Sequence, residues 1–314
     1  MTREPATGPL AGATIGINQI LWANDDLPEL TPPIDPLAIL DETARLGYRG
    51  GQLGTTFPRG DALLSALRSR GLRIAEVYAT LPCTVDGPTS AARDDGRRKL
   101  AELHGAEGDV LVAALPLSAD RVGHASRAAA PGVPRMTDRG VAALAALLAE
   151  LAEEARSLGH QLAFHNHVGT YIETADELDQ LMVASDPDLV GLCLDVGHLQ
   201  LAGGDPVAAI ERHGPRVKHV HLKDVDPKVA GRMRSGAIED FLGGLRERVF
   251  TELGSGELDL PAVLAALARI DYRGWLVVEQ DTTWRPPSES AAIARAILDV
   301  AIRDLRRMRS AAVA

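Results

Sequence analysis

The feature that most constrains this chain is a series of strand-length apolar segments, each of which ends in residues of metal-ligand type. In the middle of the chain, three such segments end near His165, near Asp195 and near His221. Amphipathic segments of helix length separate them, which is the pattern of β-α units around a parallel sheet. In a closed barrel of such units, the functional groups lie at the carboxyl ends of the strands. The pattern therefore predicts an α/β barrel with a site at that end.

The same alternation extends along the whole chain and predicts a single (β/α)8 TIM barrel. Because no change of composition or linker interrupts it, residues 1–314 are expected to form a single domain. A loop over 118–134 is expected near the barrel mouth, and 230–257 is expected to be less regular. The helix after the sixth strand is expected to begin near residues 205–206, an aspartate followed by proline. The strands are expected at 13–17, 51–53, 73–78, 109–115, 162–164, 190–195, 217–221 and 275–278.

The composition is that of a globular protein with an acidic surface. The chain has 33 basic and 43 acidic residues, a formal net charge of -10, and 46% hydrophobic residues. An acidic surface repels phosphate backbones and anionic lipids, so neither nucleic acid nor a membrane is an expected partner. The two cysteines, Cys83 and Cys193, lack CxxC spacing, and the first residues lack the features of a signal peptide. These features predict a cytoplasmic protein with a small-molecule partner. The oligomeric state stays open, and a homo-oligomer is compatible with the sequence.

Four residues at the ends of the last four predicted strands form a candidate metal site. A mixed set of imidazoles and carboxylates suits a catalytic divalent ion that keeps positions open for water or substrate. Mn²⁺, Co²⁺ and Zn²⁺ all fit such a set, and ligand type alone does not choose among them; Mn²⁺ is taken as the expected ion. A single residue of this kind is more often a capping residue, but four at successive strand ends favour a site. The four are His165, Asp195, His221 and Glu279.

Further histidines lie close to this set. His219 and His221 share one face of a strand because side chains alternate, but His219 lies farther from the strand end. We therefore interpret His219 as a packing or supporting residue. His167 and His198 are expected at the site, where they would contact substrate hydroxyls or transfer protons.

At these residues the sequence resembles the xylose isomerase-like TIM barrel superfamily. The pieces LDVGH and HVHLKD are general to that superfamily, whereas WANDDLPEL, HVGT and VFTELGSGELD are narrower and resemble its keto-inositol dehydratases. In the superfamily the ligand at the fifth strand is usually glutamate, and its place falls on His165. The other three ligand places match Asp195, His221 and Glu279 directly.

The resemblance implies a metal-dependent lyase that dehydrates a keto-inositol such as 2-keto-myo-inositol through an enediolate. The metal would polarise a ketone, one residue would remove the neighbouring C–H proton, and another would help a β-hydroxyl depart as water. The candidates for these catalytic roles are His198, His167, Lys223 and the ligand Glu279. The residues expected to bind substrate are Trp22, Asn24, Asp25, Gln52, His167 and His198.

Other functions stay open at this point. The same enediolate serves a sugar epimerase or isomerase, and two departures from the dehydratase pattern keep that alternative. Gln52 stands where the superfamily carries a glutamate, and the segment VVEQD is shorter than its counterpart. Phosphodiester cleavage is disfavoured by the acidic charge. A non-catalytic barrel subunit predicts no metal, which the intact ligand set argues against.

Overall fold

A computed structural model describes residues 8–31 and 33–313, with side chains as far as residue 308. Its main feature is an eight-stranded parallel sheet in which the first strand pairs with the last, and the second to the eighth strands pair in chain order. The Arg49 N–H donates to the Ile15 carbonyl at 2.9 Å, which joins the first strand to the second and nearly closes the barrel. The predicted (β/α)8 barrel is confirmed. The strands are β1 Thr14–Ile17, β2 Gly50–Gln52, β3 Arg73–Thr80, β4 Val110–Ala114, β5 Gln161–His165, β6 Val190–Asp195, β7 Val217–Leu222 and β8 Trp275–Val278.

Helices follow the strands and cover the outside of the barrel. The fourth is 20 residues long, begins after the N-cap Thr137, and buries its Leu and Ala face. The fifth begins with a capping box in which Thr174 and Glu177 exchange hydrogen bonds. The helices are α1 Pro36–Arg45, α2 Asp61–Arg70, α3 Ala92–Gly105, α4 Asp138–Ser157, α5 Ala175–Ala184, α6 Val196–Leu201, α7 Pro206–His213, α8 Pro227–Arg234, α9 Phe241–Arg246, α10 Leu260–Arg269 and α11 Pro287–Val313. Within the described residues, none of these helices has the length and apolarity needed to span a membrane.

Two segments differ from the sequence-based expectation. A helix begins at Val196, directly after β6, and α7 begins at Pro206 as expected. The first helix forms because the Asp195 side chain accepts the His198 N–H at 2.8 Å and so caps its start. The segment 230–257, expected to be irregular, contains α9 and part of α8. It also contributes Phe250–Thr251, which pairs antiparallel with Asp224–Val225.

These additional elements form a second apolar cluster over one side of the barrel mouth. The cluster is separate from the main core between the barrel and its outer helices. Phe241 and Phe250 are fully buried in it. We call the segment 226–251 the roof, because it excludes solvent from the polar residues beneath it. The buried members of the cluster from the roof are Ala230, Met233, Ile238, Phe241, Leu245, Val249 and Phe250.

The loop over 118–134 lies at the mouth as expected and is anchored by two arginines, one of them buried. The guanidinium of Arg121 is fully buried and donates to both carboxylate oxygens of Glu177, at 3.0 and 3.1 Å. Arg127 donates to the backbone carbonyls of Met233 and Glu239 on the roof. The loop is therefore attached to the helix layer on one side and to the roof on the other.

Candidate active site

The carboxyl ends of β5 to β8 bring the four predicted ligands together. His165 Nε2 lies 3.4 Å from Asp195 Oδ2, and His221 Nδ1 lies 3.7 Å from the same oxygen. His221 Nδ1 also lies 2.8 Å from Glu279 Oε2. Asp195 and His221 are register partners on the neighbouring strands β6 and β7, which explains their proximity. His165, Asp195 and His221 each offer one ligand atom, and these three atoms lie within 4.8 Å of one another.

The buried polar atoms of this cluster fit a divalent cation. Both ring nitrogens of His165, together with Asp195 Oδ2 and His221 Nδ1, are buried without a well-oriented hydrogen bond in the described residues. Each buried polar atom left without a partner costs roughly 1–3 kcal/mol. Imidazole nitrogens and carboxylate oxygens are suitable ligands for Mn²⁺, Co²⁺ or Zn²⁺. A cation between these atoms would give them the partner that the protein does not supply.

Lys223 is the main cationic partner of the carboxylates in this cluster. Its ammonium group is fully buried and lies 2.8 Å from Glu279 Oε1, 2.9 Å from Asp281 Oδ2 and 3.6 Å from Asp195 Oδ2. Burial alone would lower the pKa of Lys223, but the carboxylates of Asp281 and Glu279 raise it well above the usual value. Lys223 is therefore charged at neutral pH, and its charge is compensated inside the site.

Ion pairing also keeps the carboxylates of the cluster ionised. Burial disfavours the charged form of Asp195, yet the charge of Lys223 lowers its pKa well below the usual range. Burial likewise opposes ionisation of Glu279, and Lys223 and His221 lower its pKa. Two negative charges therefore face the predicted ion position.

His167 and His198 lie side by side next to the ligands. Their ring centroids are 3.8 Å apart, and His198 Nε2 lies 3.1 Å from Lys223 Nζ. Burial, with a contribution from the Lys223 ammonium, lowers the pKa of His167 to about 3. Burial and the same ammonium lower the pKa of His198 well below its usual value. Both rings are therefore neutral at pH 7, and their low pKa values make them weak bases in this environment.

The roof covers one of these histidines more completely than the other. His198 packs against Phe250 with ring centroids 4.9 Å apart, and it is only 1% exposed. His167 packs against Phe241 at 5.0 Å but also lines the open cavity described below. Of the two, His167 is the one that a molecule in the cavity would reach.

Two acidic residues of the site were missed by the sequence analysis. Glu76 on β3 is fully buried, and its Oε2 lies 2.9 Å from His221 Nε2 and also contacts His219 Nε2. Asp281 lines the cavity, and burial raises its pKa to about 7 despite Lys223. A signal existed for each: Glu76 is a lone carboxylate in an apolar strand, and Asp281 is on the same face as Glu279 in period-two alternation.

The cavity at the barrel mouth has a volume of about 550 Å³, which suits a monosaccharide-sized molecule. Its lining includes His165, His167 and Glu279 of the cluster. Asp25 and Gln52, predicted to bind substrate, also line it. The remaining polar residues of its lining are Asn18, Asp26, Thr55, Tyr78, Thr80, Lys99 and Asp281.

Trp22 and Asn24, also expected to bind substrate, lie behind this surface. Both are 2% exposed, and neither belongs to the described lining of the cavity. The Asn24 side chain donates to the Asp281 carbonyl at 2.7 Å and accepts the Leu27 N–H at 2.7 Å. Asn24 therefore fixes the loop that carries Asp25 against the segment that carries Asp281.

Comparisons with known proteins agree with this architecture. The sequence profile of the xylose isomerase-like TIM barrel family matches residues 40–301. The chain is 33% identical over 293 residues to an inosose dehydratase of Lacticaseibacillus casei, which covers 91% of this chain and 96% of that protein. It is 35% identical over 288 residues to the rhizopine catabolism protein MocC of Rhizobium meliloti, covering 87% of this chain and 82% of that one.

Solved structures with a similar fold are more distant in sequence. An L-ribulose 3-epimerase superposes with a TM-score of 0.70 at 18% identity and covers 96% of this chain and 98% of its own. The 3-keto-D-glucoside 4-epimerase YcjR of E. coli has a TM-score of 0.65 at 17% identity, covering 92% and 99%. At these identities the structures support the fold alone.

Proposed function

Because the chain belongs to the xylose isomerase-like TIM barrel family and is a sugar-modifying enzyme, we propose that it is a metal-dependent hydro-lyase acting on a keto-inositol. The substrate we propose is 2-keto-myo-inositol or a close analogue. The observation that carries the proposal is the convergence of unpartnered buried atoms from His165, Asp195 and His221 beside a sugar-sized cavity. The similarity to inosose dehydratases over 91% of the chain favours dehydration among the reactions that such a site permits.

In this proposal His165, Asp195, His221 and Glu279 hold a divalent cation, with Mn²⁺ as the expected ion. When bound, the cation supplies Lewis acidity that makes the C–H beside a ketone acidic and stabilises an enediolate. The carboxylates of Asp195 and Glu279 stay ionised through their contacts with Lys223, so they bring two negative charges to the ion. The histidines are expected to bind as neutral ligands.

We assign the proton transfers to residues that line the cavity and to residues in contact with them. His167 lies on the cavity wall as a neutral ring, so we propose it as the base that removes the substrate proton. Its low pKa makes it a weak base, so the role requires the bound cation to acidify the C–H bond strongly. Lys223 contacts Asp281, which also faces the cavity, so this pair is proposed to assist the departure of the β-hydroxyl. His198 contacts the His167 ring and the Lys223 ammonium. We propose that it stabilises the positive charge on either residue during proton transfer.

The open side of the cavity is proposed to bind the substrate hydroxyls. Asp25 accepts a hydrogen bond from Thr55 at 3.0 Å, and Gln52 accepts one from Asn18 at 3.1 Å. Trp22 and Asn24 would support this side from behind. We further propose that residues 1–314 act as one domain with a small-molecule partner in the cytoplasm, consistent with two free cysteines, Cys83 and Cys193.

The test is an assay of 2-keto-myo-inositol with manganese-loaded protein in D₂O. Loss of water should produce an enone or dione that absorbs in the ultraviolet, and NMR should detect the loss of the β-hydroxyl-bearing centre. Chelator-treated protein is the control and should be inactive until Mn²⁺ is restored. Deuterium incorporation without elimination would contradict dehydration and would identify an epimerase or isomerase instead.

A further inference from the structure

We propose that Glu76 is a positioning residue that selects the tautomer of His221, so that Nδ1 of this histidine faces the ion. The inference rests on the proposed metal site, but it concerns a residue that is not one of the predicted ligands. Glu76 lies on β3, and His221 lies on β7. The Glu76 carboxylate therefore reaches His221 from across the barrel interior.

The depth of Glu76 separates it from the cavity. Along β3, the side chains of Glu76, Tyr78 and Thr80 point to one face because strands have period two. Tyr78 and Thr80 line the cavity, whereas Glu76 does not and is fully buried. Glu76 therefore lies one layer below the substrate and cannot contact it. Any influence on the reaction must pass through the histidines.

The contacts of Glu76 determine which nitrogen of His221 stays available. Glu76 Oε2 lies 2.9 Å from His221 Nε2, and this contact is a hydrogen bond in geometry. A carboxylate accepts hydrogen bonds, so Nε2 must carry the proton. Without an ion, the 2.8 Å contact of Nδ1 with Glu279 Oε2 requires a proton on Nδ1 as well. When a cation takes the place of that proton, the ring is neutral and Nδ1 offers its lone pair to the ion. Nδ1 is the atom that faces Asp195 Oδ2 at 3.7 Å and Glu279 Oε2 at 2.8 Å.

His219 strengthens this arrangement from below. Its Nε2 contacts the same oxygen of Glu76, and both residues are fully buried. One hydrogen bond from His221 and one close contact with His219 on the same oxygen hold the carboxylate in place, and the Oε1 atom has no hydrogen-bond partner among the described residues. A carboxylate behind a metal-bound histidine fixes the ring and increases its basicity, and losing it typically costs about 10–100-fold in metal affinity.

The experiment uses the full-length protein labelled with ¹⁵N-histidine and loaded with Zn²⁺ as a diamagnetic probe. In the wild type, Zn²⁺ should shift the Nδ1 resonance of His221, while Nε2 keeps its proton. The resonance is assigned by its loss in His221→Ala. Affinity for Mn²⁺ is measured in parallel by titration calorimetry, so the readout does not depend on turnover.

Two variants separate the orienting role from a merely structural one. Glu76→Gln keeps an acceptor oxygen, so it should retain Nδ1 ligation with less than about tenfold loss of affinity. Glu76→Leu fills similar space without accepting a hydrogen bond, so it should lose about 10–100-fold in affinity and show mixed or Nε2 ligation. If Leu destabilises the fold, the Gln variant still reports which nitrogen binds Zn²⁺.

The outcomes distinguish this inference from the proposed function. Nε2 ligation in the wild type, or unchanged affinity and ligation in a folded Glu76→Leu variant, would overturn the role of Glu76. Nδ1 ligation that depends on Glu76 in a protein that does not dehydrate keto-inositols would support the role and refute the proposed reaction.

Discussion

The two halves of the barrel mouth differ in their exposure to solvent. In the half beneath the roof, His165, Asp195, His221 and Lys223 are at most 2% exposed, and charged groups are paired with one another. In the opposite half, Asp25, Asp26, Thr55 and Thr80 are exposed and contact solvent. Electrostatic interactions are stronger in the dry half because little water screens them, and fixed charges there can stabilise the transition state of a reaction. The wet half can change its side chains without disturbing the ion pairs, which suits selection of the substrate.

The largest expected effect comes from the dry half, with Asp195→Asn. The variant keeps the oxygen that caps α6 but removes the negative charge between His165, His221 and Lys223. We expect kcat/KM on the keto-inositol to fall by about 10³-fold, because charge stabilisation at the reacting centre is lost. Metal content, measured by plasma emission spectrometry, should fall with it.

The matched control is Asp179→Asn on α5. Asp179 is also a carboxylate paired with a histidine, since its Oδ1 lies 3.0 Å from His213 Nε2, but it does not line the cavity. Its kcat/KM and metal content should stay within about twofold of wild type, as is usual for surface substitutions. Equal losses in both variants would mean that the dry half has no special role.

Lys223→Met should have the next largest effect. The substitution keeps most of the length of the side chain but leaves Glu279, Asp281 and Asp195 without their shared cation. Removing one partner of a buried ion pair costs about 3–5 kcal/mol of stability, and loss of a proton-transfer group costs about 10²-fold in kcat. Chemical denaturation and steady-state kinetics measure the two effects.

Lys218→Met on the same strand is the control for Lys223→Met. Lys218 is exposed on the outer face of β7, so its removal should leave kcat and the unfolding midpoint nearly unchanged. If Lys223→Met kept wild-type kcat, the pairing of charges in the dry half would serve folding rather than catalysis.

A smaller effect is expected in the wet half from Gln52→Glu, which introduces the carboxylate found at this place in the superfamily. The side chain shares Asn18 with Glu279, because the Asn18 amide donates to both at 3.1 Å. We expect a change of about tenfold in the ratio of kcat/KM between two keto-inositol epimers, with metal content unchanged. A loss of metal instead would show that the two halves are not independent.

The barrel and the ligand cluster could be predicted from the sequence, because both follow from periodicity. The β-α alternation gave the barrel, and the strand ends gave the cluster of His165, Asp195, His221 and Glu279. Each of these residues directly follows or ends an apolar run. A residue at a strand end is predictable from local pattern, since parallel strands place their carboxyl ends on one side.

The remainder depended on contacts between distant segments. Glu76 is 145 residues from His221 in sequence, and only closure of the barrel brings them within hydrogen-bonding distance. The roof was missed because its helices are short and contain glycine, so local propensity is weak and tertiary burial decides their structure. The burial of Trp22 and Asn24 likewise depends on partners elsewhere in the fold, such as the Asp281 carbonyl.

The smallest effect is expected from Glu173→Gln, which concerns stability and tests how two loops outside the site are joined. Glu173 accepts the backbone N–H of Gly169 at 2.6 Å and that of Ala128 at 3.3 Å, and so joins the loop after β5 to the loop over 118–134. Burial raises the pKa of Glu173 to about 7 from the ordinary 4.5. The folded protein therefore holds a proton there that the unfolded chain releases.

The sign of the pH dependence follows from this difference. Because the pKa is higher in the folded state, the contribution of Glu173 is fully present below about pH 4.5 and is lost as the pH rises towards 7. The loss is at most about 3 kcal/mol, and Glu173→Gln should remove this slope at a cost of about 1 kcal/mol for one weakened hydrogen bond. Urea unfolding from pH 5 to pH 8 measures the slope, with the exposed Glu239→Gln as control. Equal slopes in the wild type and Glu173→Gln would show that this carboxylate is ionised throughout, and that the two loops are joined by a charged group.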